Sequence, residues 1–124
     1  MAETIRTEKE YAVRRAAVLL SLAIGEGQFG RTDVLLDDTR LIRASGDMKD
    51  LRLGPGNDLV DKKLTIRSLV VDVNSRTSRM SVSYRLKGGP EVLEFTVPGR
   101  VTSEGGLLVF ETTVDFIAVR RTER

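Results

Sequence analysis

The clearest regularity in the chain is an alternation of apolar and polar side chains between residues 80 and 97. The apolar positions are Met80, Val82, Tyr84, Leu86, Leu93, Phe95 and Val97. Successive side chains of a strand point to opposite faces, so this period predicts two strands with one buried face each. Gly88 and Gly89 between them tolerate the positive φ of a two-residue hairpin turn. With these glycines as the loop, Tyr84 faces Leu93 and Val82 faces Phe95.

Alternation also marks the segments on either side of this predicted hairpin. Downstream, one face carries Leu108, Phe110, Val114 and Phe116. Upstream the alternation changes phase, because Leu64 and Ile66 stand at even-numbered positions while Leu69, Val71 and Val73 stand at odd-numbered ones. A β-bulge near Arg67 and Ser68 would reconcile the two phases, and a strand buried on both faces is the alternative. With residues 74–78 as a loop, residues 63–87 are expected to form a second hairpin.

The N-terminal half has a weaker pattern. Residues 10–24 alternate well enough to predict a strand, although their alanines and leucines also allow an amphipathic helix. The glycine-spaced segment 25–30 predicts a turn into a returning strand at 32–36, and so a hairpin with 18–24. A phosphate-binding loop has similar glycines but needs a helix after it, whereas the residues that follow favour a strand. Residues 37–62 are rich in turn residues and are expected to hold one or two short edge strands.

These segments together predict an all-β fold. About seven strands with turns at roughly ten-residue spacing are typical of a single antiparallel β-sandwich with Ig-like or small-barrel topology. We expect a flexible N-terminal end at residues 1–9, one sandwich domain at 10–119 and a basic C-terminal tail at 120–124.

Composition narrows the possible chemistry. The 124 residues include no cysteine and no histidine, which excludes disulfides, zinc–thiolate sites, thiol nucleophiles and Ser-His-Asp catalysis. Lys and Arg number 20 against 18 Asp and Glu, an excess too small to predict nucleic-acid binding. No apolar run reaches the roughly 20 residues of a membrane span. A cytoplasmic location is expected; a cleaved signal ending near residue 24 is the alternative, and the acidic residues before it argue against it.

Carboxylates offer two kinds of candidate site. The turn-rich region could supply oxygen ligands to calcium, and Asp47, Asp50 and Asp58 are the first candidates. Neighbouring cations oppose this, and Asp also favours turns without any metal. Glu111 and Asp115 share a strand face, but four residues of strand span about 13 Å, beyond the roughly 5–9.5 Å of glycosidase carboxylate pairs. No catalytic set is predicted, and no cofactor is expected.

Surface residues suggest binding as the remaining class of function. Phe29 in the turn, and Arg79 and Arg85 on the polar face of the 80–97 hairpin, are candidate partner contacts, since arginine and aromatic residues are enriched at interfaces. The sequence favours a non-catalytic β-sandwich that acts by protein–protein contact or self-assembly. A homo-oligomer would form by edge-strand pairing or by packing of residues 10–24. The alternatives are a small-ligand or carbohydrate-binding domain, with or without the assistance of calcium, and a hydrolase.

Overall fold

The computed structural model describes residues 3–102 and 106–119, which form two packed sheets and one short helix. The strands are β1 (Glu3–Val13), β2 (Ala17–Gly25), β3 (Phe29–Leu36), β4 (Thr39–Ser45), β5 (Met48–Pro55), β6 (Lys63–Val71), β7 (Arg79–Lys87), β8 (Leu93–Arg100) and β9 (Leu107–Ala118), and the helix α1 is Gly56–Leu59. The expected all-β sandwich is confirmed, but the described residues form nine strands instead of about seven, in two open sheets that do not close into a barrel. The predicted basic tail at 120–124 lies outside the described residues.

The strand order is β1-β9-β6-β3-β4 in the five-stranded sheet and β5-β2-β7-β8 in the four-stranded sheet. All neighbouring pairs are antiparallel except β1 and β9, which run parallel over eleven paired positions. The expectation of a wholly antiparallel fold is therefore wrong at this edge. No helix in the described part of the chain is long and apolar enough to cross a membrane.

Residues 10–24, predicted as one strand, hold the end of β1 and most of β2, and the helical alternative is wrong. Residues 3–9, expected to be a flexible end, belong to β1, because pairing with β9 satisfies their backbone groups. The chain leaves the five-stranded sheet at residues 14–16 and enters the four-stranded sheet as β2. This crossing requires glycine at position 56, since a Cβ there would lie 1.8 Å from the Arg14 carbonyl oxygen.

The core lies between the inner faces of the two sheets. Its largest fully buried side chains are Tyr84, Phe110 and Phe116. β9 buries the four predicted apolar residues, and β6 buries an unbroken alternation of Leu64, Ile66, Ser68 and Val70. The predicted bulge in β6 is wrong, because its pairing with β3 and β9 shows no register shift. Ser68 is tolerated in the core because its hydroxyl lies 2.7 Å from that of Thr32 and the two share a hydrogen bond.

Two predicted hairpins are instead crossings between the sheets. β2 and β3 lie in different sheets, and so do β6 and β7. The buried side chain of Gln28 joins the two crossings. Its Nε2 donates to the carbonyl oxygens of Thr77 and Arg79, and its Oε1 accepts from the backbone N–H groups of Val73 and Asn74. One side chain thus satisfies four backbone groups that a hairpin would have paired directly.

The hairpin of β7 and β8 is present, but its predicted register is shifted by two residues. Tyr84 pairs with Phe95, and Val82 pairs with Val97. The connection spans residues 88–92 because it wraps around Tyr11, whose hydroxyl accepts from Gly89 N–H and donates to the Glu91 carbonyl. A shift of two keeps every side chain on its predicted face.

Candidate functional site

The outer face of the five-stranded sheet carries an apolar patch. We define the patch by Phe29, Leu69, Val71, Val73, Leu107 and Val109. Val71 pairs with Phe29 on one side and Leu107 on the other, and Leu69 pairs with Val109 in the next row. Val73 follows β6, and its N–H is bonded to Gln28, the residue before Phe29. Three of the six large apolar side chains that the described residues leave exposed belong to this patch: Phe29 (52%), Val73 (60%) and Leu107 (36%).

A row of alternating charges crosses the same face beside the patch. The register sets Arg43, Asp33, Arg67, Glu111 and Arg6 side by side, one from each strand of the sheet. Arg43 Nε lies 2.6 Å from Asp33 Oδ1, and Arg6 Nε lies 3.3 Å from Glu111 Oε1. Arg67 pairs with the other oxygen of Glu111. We call these five residues the charge row.

The arginines of the charge row fix the ionisation of its acids. The hydrogen bond from Arg43 holds the pKa of Asp33 below its ordinary value. The hydrogen bond from Arg67 does the same for the pKa of Glu111, with a smaller electrostatic contribution from Arg6. Both carboxylates are therefore charged at neutral pH and committed to ion pairs within the sheet.

The outer face of the four-stranded sheet has a different character. Its centre carries small hydroxyl side chains, and Ser83 Oγ lies 2.8 Å from Thr96 Oγ1. Arg85 faces Glu94 across the strands, with 3.7 Å between Nε and Oε2. Two open depressions lie on this face, one of about 380 Å³ lined by Ser21, Ser83 and Arg85 among others, and one of about 600 Å³ beside Arg79.

The structure separates the three candidate contact residues. Phe29 is exposed at the start of β3 on the five-stranded sheet, whereas Arg79 and Arg85 lie on the outer face of the four-stranded sheet. The sequence did not identify Leu69 and Val71 as partners of Phe29. Counting Ser68 as a buried position would have kept the alternation of β6 in one phase and placed Leu69 and Val71 outside.

The calcium candidates are not assembled into a site. Asp47 Oδ1 accepts a hydrogen bond from Ile24 N–H at 2.8 Å, and Asp50 Oδ1 lies 3.1 Å from Lys87 Nζ. Asp58 lies in α1. Across residues 3–102 and 106–119, no three carboxylate side chains converge closely enough to hold a metal ion. Asp47 and Asp50 instead bond to residues of other strands in the four-stranded sheet.

Comparisons of the chain with protein-family models, with curated proteins and with solved structures found no match.

Proposed function

We propose that the protein is a non-catalytic assembly module that pairs with a second copy of itself through the outer face of its five-stranded sheet. The apolar patch is the observation that carries this proposal. Exposed apolar side chains are common singly, but a contiguous cluster beside charged residues is typical of an interaction surface. A patch bordered by paired charges resembles an interface with an apolar centre and a polar rim.

Three of the four edge strands are poor candidates for assembly, which favours a face. The edge strand β1 points a charged residue, Lys9, toward the sandwich interior, where its Nζ lies 4.8 Å from the Phe95 ring centroid. The edge strand β5 shows two register shifts against β2, and the edge strand β8 contains Pro98. Inward charges, irregular pairing and proline are the devices by which natural sheets prevent edge-to-edge pairing.

The same face suits a second copy because its cross-strand neighbours are complementary. Leu69 pairs with Val109, Arg67 with Glu111, and Lys63 with Asp115. Consider a two-fold axis that runs parallel to the strands, midway between β6 and β9. It places each β6 residue of one copy over a β9 residue of the other copy, and this is the same β9 residue with which it pairs within its own sheet. Apolar then meets apolar and cation meets anion, as an isologous contact requires. An axis on a strand would stack like charges and is disfavoured.

Sedimentation velocity across a dilution series tests the proposal. The wild type is expected to dimerise, and Val71→Asp should weaken the dimer by about 100-fold or more, because each interface would bury two unpaired carboxylates. Val92→Asp is the control for adding a carboxylate to the surface, since Val92 is exposed (52%) and lies in the β7–β8 connection, outside the patch. Circular dichroism checks that both variants fold.

Two results would contradict the proposal. A wild-type monomer at every concentration would exclude self-assembly and leave the patch to a different protein. A dimer weakened equally by Val71→Asp and Val92→Asp, or by neither, would place the contact elsewhere.

A further inference from the structure

Two arginines face each other on the opposite side of the sandwich. Arg79 in β7 and Arg100 in β8 are directly paired across the strands, and both are exposed. Like charges directly opposite each other repel and destabilise a sheet. The chain therefore holds two cations together at a cost in stability.

Neither arginine has an intramolecular counter-ion among the described residues. Arg85, six residues along β7 from Arg79, pairs with Glu94, whereas no carboxylate of the described residues lies within ion-pair distance of Arg79 or Arg100. The difference shows that the face can pair its arginines and does so at one end only.

The two arginines border the larger depression on this face, of about 600 Å³. The rest of the lining is Glu26, Met80, Ser81, Thr96, Pro98 and Gly99. Ser81 lies against Gly25, where a Cβ would come within 2.2 Å of Ser81 Oγ, so glycine keeps room for this hydroxyl. Glu26 is the one acidic side chain in the described lining, which leaves the depression with a net positive charge.

We propose that this depression binds the phosphate group of a small phosphorylated molecule, with Arg79 and Arg100 as its charged ligands. A guanidinium presents a planar fork of N–H donors that matches a phosphate, and two of them balance a dianion. Hydroxyls such as that of Ser81 can donate further hydrogen bonds. A volume of this size falls within the roughly 300–1,000 Å³ of small-molecule sites, so it exceeds what free phosphate alone would fill.

The test is calorimetric titration of the full chain with inorganic phosphate, glucose 6-phosphate and glucose, at equal ionic strength set with potassium chloride. Both phosphate compounds are expected to bind and glucose is not. Arg79→Gln and Arg100→Gln should each weaken binding by about tenfold or more, the loss of one charge-assisted contact. Arg85→Gln is the matched control, because Arg85 lies on the same strand and face but is already paired.

The variants also provide a readout that a merely structural role would not produce. Without phosphate, Arg79→Gln and Arg100→Gln should melt at the same or a slightly higher temperature than the wild type, because the repulsion is relieved. Equal affinity for inorganic phosphate and glucose 6-phosphate supports the site and means that the site recognises only the phosphate group of the molecule. No binding at millimolar concentration, or equal weakening by Arg85→Gln, overturns it. The site lies on the face away from the patch, so dimer formation and phosphate binding succeed or fail separately.

Discussion

The two outer faces of the sandwich differ in how their side chains are paired. On the five-stranded sheet, cation alternates with anion across all five strands in the charge row, and beside it apolar side chains of β6 pair with apolar side chains of β9. On the four-stranded sheet, the centre is short hydroxyl side chains, and Arg79 and Arg100 stand opposite each other. On the first face the charged side chains pair with one another, which suits contact with a flat partner surface. On the second face the depressions and the two arginines leave space and positive charge for a small ligand.

Side-chain length explains much of this difference. Long arginines and glutamates on the five-stranded sheet reach across the spacing between strands, and the ion pairs they form fill the surface. Serine and threonine on β7 and β8 do not reach beyond their neighbours, as the bond between Ser83 and Thr96 shows. Their shortness leaves the depressions on that face.

The largest expected effect comes from comparing the inner faces of the two sheets. Phe110 is fully buried on β9, whereas Phe95 on β8 is only partly buried and stacks on Tyr84 at 4.8 Å between ring centroids. Phe110→Ala should lower the free energy of unfolding by about 4 kcal/mol and Phe95→Ala by about 2, since the cost follows the packing lost.

Urea denaturation measures both values. Thr96→Ala, one residue from Phe95 on the outer face, is the control and should cost under about 1 kcal/mol for its lost hydrogen bond. A Thr96→Ala loss as large as that of Phe95→Ala would mean that the faces of β8 are assigned the wrong way round.

The sequence predicted the fold class because most core positions are large apolar residues at a two-residue period, as in β7, β8 and β9. It failed where a polar side chain is buried. Ser68 interrupted the apolar pattern of β6, and Gln28 joins two crossings that otherwise resemble hairpin turns. Both residues are satisfied by partners more than thirty residues away, which local periodicity cannot reveal.

The candidate sites were predicted only in part, for a related reason. Phe29 was recognised because an aromatic residue in a glycine-rich turn is conspicuous, but its neighbours across the sheet depend on the order of strands. The arginine pair was missed because the predicted register placed Arg79 opposite Pro98. The actual shift of two residues is set by Tyr11 in β1, far from either strand in sequence, and it brings Arg100 opposite Arg79.

A second comparison sets the tyrosine of the four-stranded sheet against that of β1. The hydroxyl of Tyr84 is buried without a hydrogen bond of normal geometry, although Thr112 lies near it, and burial raises its pKa from 10.0 to about 12. Because the pKa of Tyr84 is higher in the folded state than in the unfolded state, the stability that its neutral hydroxyl contributes is fully present below pH 10 and is lost as the pH rises toward 12. The loss reaches at most about 2.7 kcal/mol for a shift of about two units.

Thermal melts from pH 8 to pH 12 measure this effect. Tyr84→Phe should match or slightly exceed the wild type at pH 8, since it removes an unpaired buried hydroxyl, and should keep more of its stability at high pH. Tyr11→Phe should instead lose about 1 kcal/mol already at pH 8, because its hydroxyl makes two bonds. An alkaline loss in Tyr84→Phe as large as in the wild type would show that another group governs it.

The smallest effect distinguishes the two outer faces directly. Glu111 is 17% exposed and binds two arginines, whereas Glu94 is 67% exposed and binds one at 3.7 Å. Glu111→Gln should therefore lower the free energy of unfolding by about 1 kcal/mol and Glu94→Gln by about 0.3 kcal/mol or less, in the range of surface ion pairs.

The pKa of Glu111 is lowered by Arg67, so the stability that Glu111 contributes is present above the ordinary value of 4.5 and is lost as the pH falls through the lowered folded-state value. Urea denaturation of both variants measures these costs, and both should approach zero well below pH 4.5. Both should also shrink in 1 M salt, where the Debye screening length is only about 3 Å. Equal costs at pH 7 would mean that the charge row adds nothing beyond an isolated pair, and the contrast between the faces would then rest on the apolar patch alone.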